Sequence, residues 1–204
     1  MLTTERPVRR TQEERSAATR VRLLDATVEC LVEHGYAGTT VQRVAERAEV
    51  TRGAQAHHFQ TKQLLVLAAV RHLNQLQARD VAQRLAHLEG ESRSVDGLLE
   101  VLWDLHQGAV FVATSEMWIA ARTDPDLAAH LGEIEAMVDA GVAEASEPGG
   151  SSPLVGPEVR DAVFSAMDAI RGLVMSTWHL QEHDVLARWH RLKRHLAQIF
   201  PADV

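Results

Sequence analysis

Apolar residues recur along this chain at steps of three and four, a period that predicts helices from end to end. Ala17, Val21, Leu24, Val28 and Leu31 form one stripe and predict a helix over about 11–34 with its apolar face turned inward. Gly35 follows where a left-handed helix end is wanted. Val41, Val44, Ala45 and Ala48 predict a compact second helix, capped by Thr39 or Thr40 and closed by a tight turn at Glu49-Val50. The third helix, opened by Thr51, breaks the pattern. Between Thr51 and Lys62 only Ala54 and Phe59 are suited to packing, and the rest is Arg, Gln, His and Gly. A fourth helix, rich in Leu and Ala, starts at Lys62 and is expected to reach about Leu88, before a break at Glu89-Gly90-Glu91-Ser92.

The second half repeats the helical period. Helices are expected over about 95–112 with a kink at Gly108, over 114–122, and from Asp124-Pro125 to about Ser146. Residues 147–153, with two Pro, two Gly and two Ser, read as a loop. Two last helices are expected over about 157–181 and 183–200. Val159, Val163, Ala166, Ile170, Leu173 and Val174 mark the first. Val185, Trp189, Leu192, Leu196 and Ile199 mark the second, with the heptad-like spacing of a helix-packing seam. Alternating runs that would signal strands are missing, so the fold class is all-α with about nine helices. The expected division is an arm over 1–10, a small helical domain over 11–60 and a larger helical domain over 61–204.

A polar helix joined by a short turn to a compact apolar one is the pattern of a helix-turn-helix, here over about 40–59. Charge supports it only after the chain is divided. The formal net charge is −7, yet residues 1–62 hold ten Arg and Lys against eight Asp and Glu, and the acidic excess lies beyond them. Phosphate contact needs local positive charge rather than a basic protein. Other readings are excluded by what the sequence lacks. It contains no Gly-rich phosphate loop, nucleophile elbow or His-Glu-x-x-His run, so no enzyme is expected, and no cofactor. His179 and His183 are four apart but lack a third ligand, so no metal is expected. Cys30 reads as a buried small hydrophobe, and with no signal peptide or membrane-spanning run a cytoplasmic location is expected, with no membrane partner.

Residues 20–66 resemble the DNA-binding domain of TetR-type transcriptional regulators. The likeness rests on Leu24-Asp25-Ala26, His34-Gly35-Tyr36, Thr39-Thr40-Val41, Val44-Ala45, Ala48, Val50-Thr51-Arg52-Gly53, His58-Phe59 and Lys62, in the family's order and spacing. Two positions depart from it: Glu49 stands where the family usually has Gly, and Gln55-Ala56 where it often has Leu-Tyr. If position 49 has positive φ, Glu there costs about 1 kcal/mol relative to Gly.

The resemblance implies a double-stranded DNA operator, a homodimer and a small-molecule effector as partners. Thr40 and Thr51, at helix N-termini, and Lys62 are then expected at backbone phosphates. Arg52, Gln55 and His57 are the candidates for base edges, although the position of Gln55 suits the domain interior equally well. Gln42 and Arg43 are candidates for the groove edge, and Gly53 would allow close approach to the sugar-phosphate wall. For the effector, the large soft side chains Trp103, Phe111, Met117, Trp118, Met137, Phe164, Met167, Met175 and Trp178 are candidate pocket walls, with polar His106, Gln107 and Glu116 interleaved. For the dimer, the seams of the last two helices are candidates: Val159, Val163, Ile170, Leu173, Val174, Val185, Trp189, Leu192 and Leu196. The function expected is a homodimeric repressor released from a palindromic operator by an effector. The alternative is a helical small-molecule-binding or interaction module that does not bind DNA.

Overall fold

The computed structural model describes residues 11–86, 94–145 and 156–201. It is a succession of helices: α1 (Gln12–Gly38), α2 (Val41–Arg47), α3 (Arg52–His58), α4 (Lys62–Ala86), α5 (Val95–Leu105), α6 (Ala109–Ala121), α7 (Pro125–Ala145), α8 (Pro157–Thr177) and α9 (Glu182–Leu196), with a last 3-10 turn over Ala197–Ile199. No described helix is long and apolar enough to cross a membrane. The arm over 1–10 and the expected breaks at 89–92 and 147–153 lie outside the described residues.

The chain forms two compact units, residues 1–69 and 70–204. In the first, Thr11 opens α1 with a capping box. Its side chain accepts from the Glu14 amide while the Glu14 carboxylate accepts from the Thr11 amide. Leu23, Leu24, Ala26, Val28, Cys30 and Leu31 are the buried face of α1, and burial holds the Cys30 thiol above its usual range. The helix bends at Gly35, whose φ of 65° few other residues would tolerate. Val44, Ala45, Ala48 and Phe59 supply α2 and α3's share of the core.

In the second unit α5 packs against α8 and α9, and α6 lies along α7. Trp103 of α5 and Trp189 of α9 stack with ring centroids 4.6 Å apart and planes 11° from parallel. Around them Leu98, Leu99, Leu102, Phe111, Val163, Ile170 and Leu196 form a single cluster. The Lys193 ammonium reaches Asp96 at 2.6 Å and also Glu100, so α9 is pinned to α5 by charge as well as by packing. Burial opposes that charge, but the two carboxylates outweigh it and hold Lys193 above its usual range.

Two sequence expectations are corrected here. The helix expected over 95–112 is two helices, because it is broken at His106–Gly108, where Gly108 has φ 84°. The seam proposed for the dimer is occupied within one chain. Val159, Val163, Ile170, Val174, Trp189 and Leu196 are all buried in the cluster, with Leu173, Val185 and Leu192 packed against it. The apolar faces of α8 and α9 are covered within the chain by each other and by α5.

Candidate nucleic-acid interface

Local sequence dictates the geometry of α2 and α3. The Thr40 hydroxyl accepts from the Arg43 amide at 3.1 Å and the Thr51 hydroxyl from the Ala54 amide at 3.2 Å, so each short helix begins with an otherwise orphan donor satisfied. Between them the chain reverses at Glu49, whose φ is 54°, and the Val50 amide donates back to the Ala45 carbonyl at 3.0 Å. Arg22 closes the end of α2 by donating to the Ala48 carbonyl at 3.3 Å. Gly38 is required at the start of the pair, since a Cβ there would lie 2.9 Å from the Cβ of His34.

The outward face of α3 carries Arg52, Gly53, Ala56 and His57, all exposed. Nothing of the protein stands within 4 Å of where a Cβ on Gly53 would lie, so its bare backbone opens on solvent. Arg52 is oriented in advance: its guanidinium donates to the Gln42 side-chain oxygen at 2.7 Å, and the Gln42 amide donates to Glu46 at 2.8 Å. This chain of contacts ties the exposed residues of α3 to those of α2. Arg43, also exposed, donates to the Gly38 carbonyl.

The inward face holds the remainder. Gln55 is buried and its side-chain amide donates to the Phe59 carbonyl at 2.6 Å. That corrects its candidacy for base contact: with α3 anchored through Phe59, the Gln55 side chain falls inside and locks the helix end. Phe59 is buried beneath the Arg20 guanidinium, 4.7 Å from its ring centroid. His58 is half-buried, and burial, with His57 and Arg20 close by, keeps it below the usual histidine range. Lys62 is also half-buried, its ammonium 4.1 Å from the Tyr36 ring centroid and donating to the Tyr36 carbonyl. Burial holds its pKa below the usual lysine value. Arg47 forms a two-pronged pair with Glu33 and lies 3.3 Å from Glu29, which ties α2 to α1. Neither Arg22 nor Arg47 carried a local sequence signal of these roles, because their partners are 14 to 26 residues away.

The residues proposed for an effector pocket scatter. Phe111, Met117 and His106 are buried, and Glu116, Trp118, Phe164, Met167 and Met175 are half-buried. Trp103 is taken up by its stack on Trp189. Gln107, Met137 and Trp178 are exposed, Trp178 by 50%, which corrects their placement in an interior pocket. A hollow on the surface is lined instead by Glu158, Asp161, Ala162, Ser165, Ile199, Phe200 and Pro201.

Two capped helices, a reversed turn and an exposed polar second helix define the helix-turn-helix class of protein. Residues 23–69 match the N-terminal domain described as "Bacterial regulatory proteins, tetR family". Through this domain the chain resembles the TetR family of regulators. It is 36% identical over 121 residues to the HTH-type transcriptional regulator CymR of Pseudomonas putida, covering 59% of this chain and 60% of that one. It is 32% identical over 123 residues to the HTH-type transcriptional repressor AcnR of Corynebacterium efficiens, covering 60% and 61%. The matched stretch thus spans about three-fifths of these relatives. A solved structure of a TetR-family member from Streptomyces coelicolor A3 shares the fold with a TM-score of 0.63, at 24% identity over 90% of this chain and 99% of that one.

Proposed function

We infer that the chain is a sequence-specific DNA-binding transcriptional regulator, a homodimeric repressor that a small-molecule effector releases from a palindromic operator. One observation carries this reading: α3 turns Arg52, Gly53 and His57 to solvent while Gln55 and Phe59 hold it from within. An exposed helix of this kind fits the major groove, where Arg bridges two acceptors on guanine. Thr40, Arg43 and Thr51 then meet phosphates beside it, with Gln42 holding Arg52 in register. An ammonium has three donors, and Lys62 spends one on Tyr36, leaving the ion able to reach a phosphate oxygen as well.

A single short helix contacts few base pairs, and two copies on successive turns of the groove multiply specificity. With the apolar seam of α8 and α9 buried inside the chain, the second copy is proposed to meet the outward surface of these helices, around exposed Trp178 and Leu186. The name of AcnR as a repressor favours repression. The experiment is a gel shift on the DNA upstream of the chain's own gene with excess competitor DNA, combined with sedimentation. Retention of that DNA by two chains per site is expected. A chain that stays monomeric, or that releases this DNA as readily as random sequence, overturns the reading.

A further inference from the structure

Among the described residues, four buried side-chain atoms lack a hydrogen-bond partner: Arg71 Nε, Asn74 Nδ2, Ser115 Oγ and Arg171 Nε. All four belong to the second unit. Three of them can only donate, and the fourth is a hydroxyl. A folded interior normally satisfies such groups, because an orphan donor loses its water bond and gains nothing. The imbalance has a sign: what is lacking is an acceptor.

Two of the four adjoin an aromatic surface. Phe111, Ser115 and Trp118 recur at i, i+4 and i+7 and so share one face of α6. The Phe111 and Trp118 rings meet edge to face at 6.1 Å, and the Arg171 guanidinium of α8 lies 4.4 Å from the Trp118 centroid. Ser115 has no exposed surface. Beyond Phe111 lies His106, its ring centroid 5.2 Å away. The Nδ1 of His106 is 2.7 Å from the Leu102 carbonyl, which can only accept, so Nδ1 carries the proton and the neutral ring leaves Nε2 as an acceptor. The nearby carboxylates do not call for a cation. Glu135 accepts from Trp118 Nε1 at 3.1 Å, Asp168 pairs with Arg171 at 3.2 Å, and both are exposed.

We propose that this unit binds a planar aromatic anion, with its ring against Phe111 and Trp118 and its acidic group taken by Arg171 and Ser115. This rests on the effector reading above and names the chemical class of that effector. Satisfying buried donors favours a carboxylate, with two charged acceptor oxygens, over a neutral amide, with one uncharged acceptor, and over an amidinium, which has none and leaves the donors unpaired.

The test is calorimetric titration of the full chain with three isosteric probes: 2-naphthoate, 2-naphthamide and 2-naphthamidine. Naphthoate is expected to bind at least about tenfold more tightly than either of the others, the range of a lost charge-assisted hydrogen bond. Arg171→Gln is expected to erase that preference and Arg171→Lys to keep part of it, with helicity checked by circular dichroism. The wild-type ratio needs no variant, so a variant that fails to fold leaves the test intact. Naphthoate that produces no binding, an amidine that binds as well or better, or a preference that survives in Arg171→Gln overturns the proposal. Binding of DNA is scored separately. A chain that takes naphthoate but ignores its upstream DNA overturns the repressor reading alone, and one that retains DNA but ignores naphthoate overturns this proposal alone.

Discussion

The two units solve opposite problems with the same secondary structure. In the first, the polar groups that matter are outside, and those that fall inside are paired: Gln55 to Phe59, Thr27 to Leu23, Thr39 to Gly35. In the second, polar groups are brought inside and some are left without a partner. A surface that reads a DNA duplex meets a partner of nearly constant shape, so a rigid and fully satisfied scaffold suits it. A site for a small molecule gains from donors that only the ligand can complete. On the proposed function, the contrast matches what each unit would recognise, and variants in each unit test it.

The largest expected effect is on packing. Trp189→Ala removes one half of the tryptophan stack and should cost about 3–5 kcal/mol. Hydrogen exchange should then quicken in α5, α8 and α9 while α1 to α3 keep their protection. Uniform quickening along the chain would show that the units do not unfold separately. Next comes Arg52→Ala, which should leave stability unchanged and lose about 1–3 kcal/mol of discrimination between operator sequences. Quantitative gel shifts on a set of single-base operator variants would measure it. Smaller again are the caps. Thr51→Ala should destabilise the first unit by about 1 kcal/mol, seen as a lower midpoint in urea. Glu49→Gly should do the reverse by about the same amount, since φ 54° suits glycine. A Glu49→Gly chain no more stable than the parent would mean that the turn relaxes without cost.

The smallest expected effect is with pH. Burial lowers the folded pKa of both His58 and His106. Below about 6.5 the unfolded chain takes up protons that the folded one resists, so stability falls with falling pH until the folded values are passed. Urea titrations at pH 7 and pH 5 should show that loss. His106→Phe should reduce it in the second unit only, and an unchanged slope would show that His106 takes no part.

What could be read in the sequence follows from how far apart the interacting residues are. The Thr51 cap, the choice of Thr40 over Thr39 as the cap of α2, the left-handed Gly35, the strained turn at Glu49 and the start of α4 at Lys62 are all set within a few residues, although α1 only bends at Gly35 and runs on to Gly38 instead of ending there. Gln55 was ambiguous because a seven-residue helix offers too little periodicity to separate its faces. In the second unit the decisive contacts are long-range. Lys193 reaches back 97 residues to Asp96, and Trp189 reaches 89 to Glu100. An apolar stripe announces that α8 and α9 will be covered but carries no mark of whether α5 or a second chain will do it. The orphan donors were hidden for a related reason: Ser115 and Arg171 are unremarkable in sequence until the fold removes their water.

The most direct measurement of the central claim is the salt dependence of operator binding for the wild-type chain, Arg52→Ala and Lys62→Ala. Arg52→Ala should bind the operator more weakly and scarcely prefer it to random DNA, with a nearly unchanged slope of log affinity against log salt. Lys62→Ala should weaken binding to all sequences alike and flatten that slope by about 1. Wild-type discrimination and slope in both variants would contradict the account, because the exposed face of α3 would then not be the surface that meets DNA.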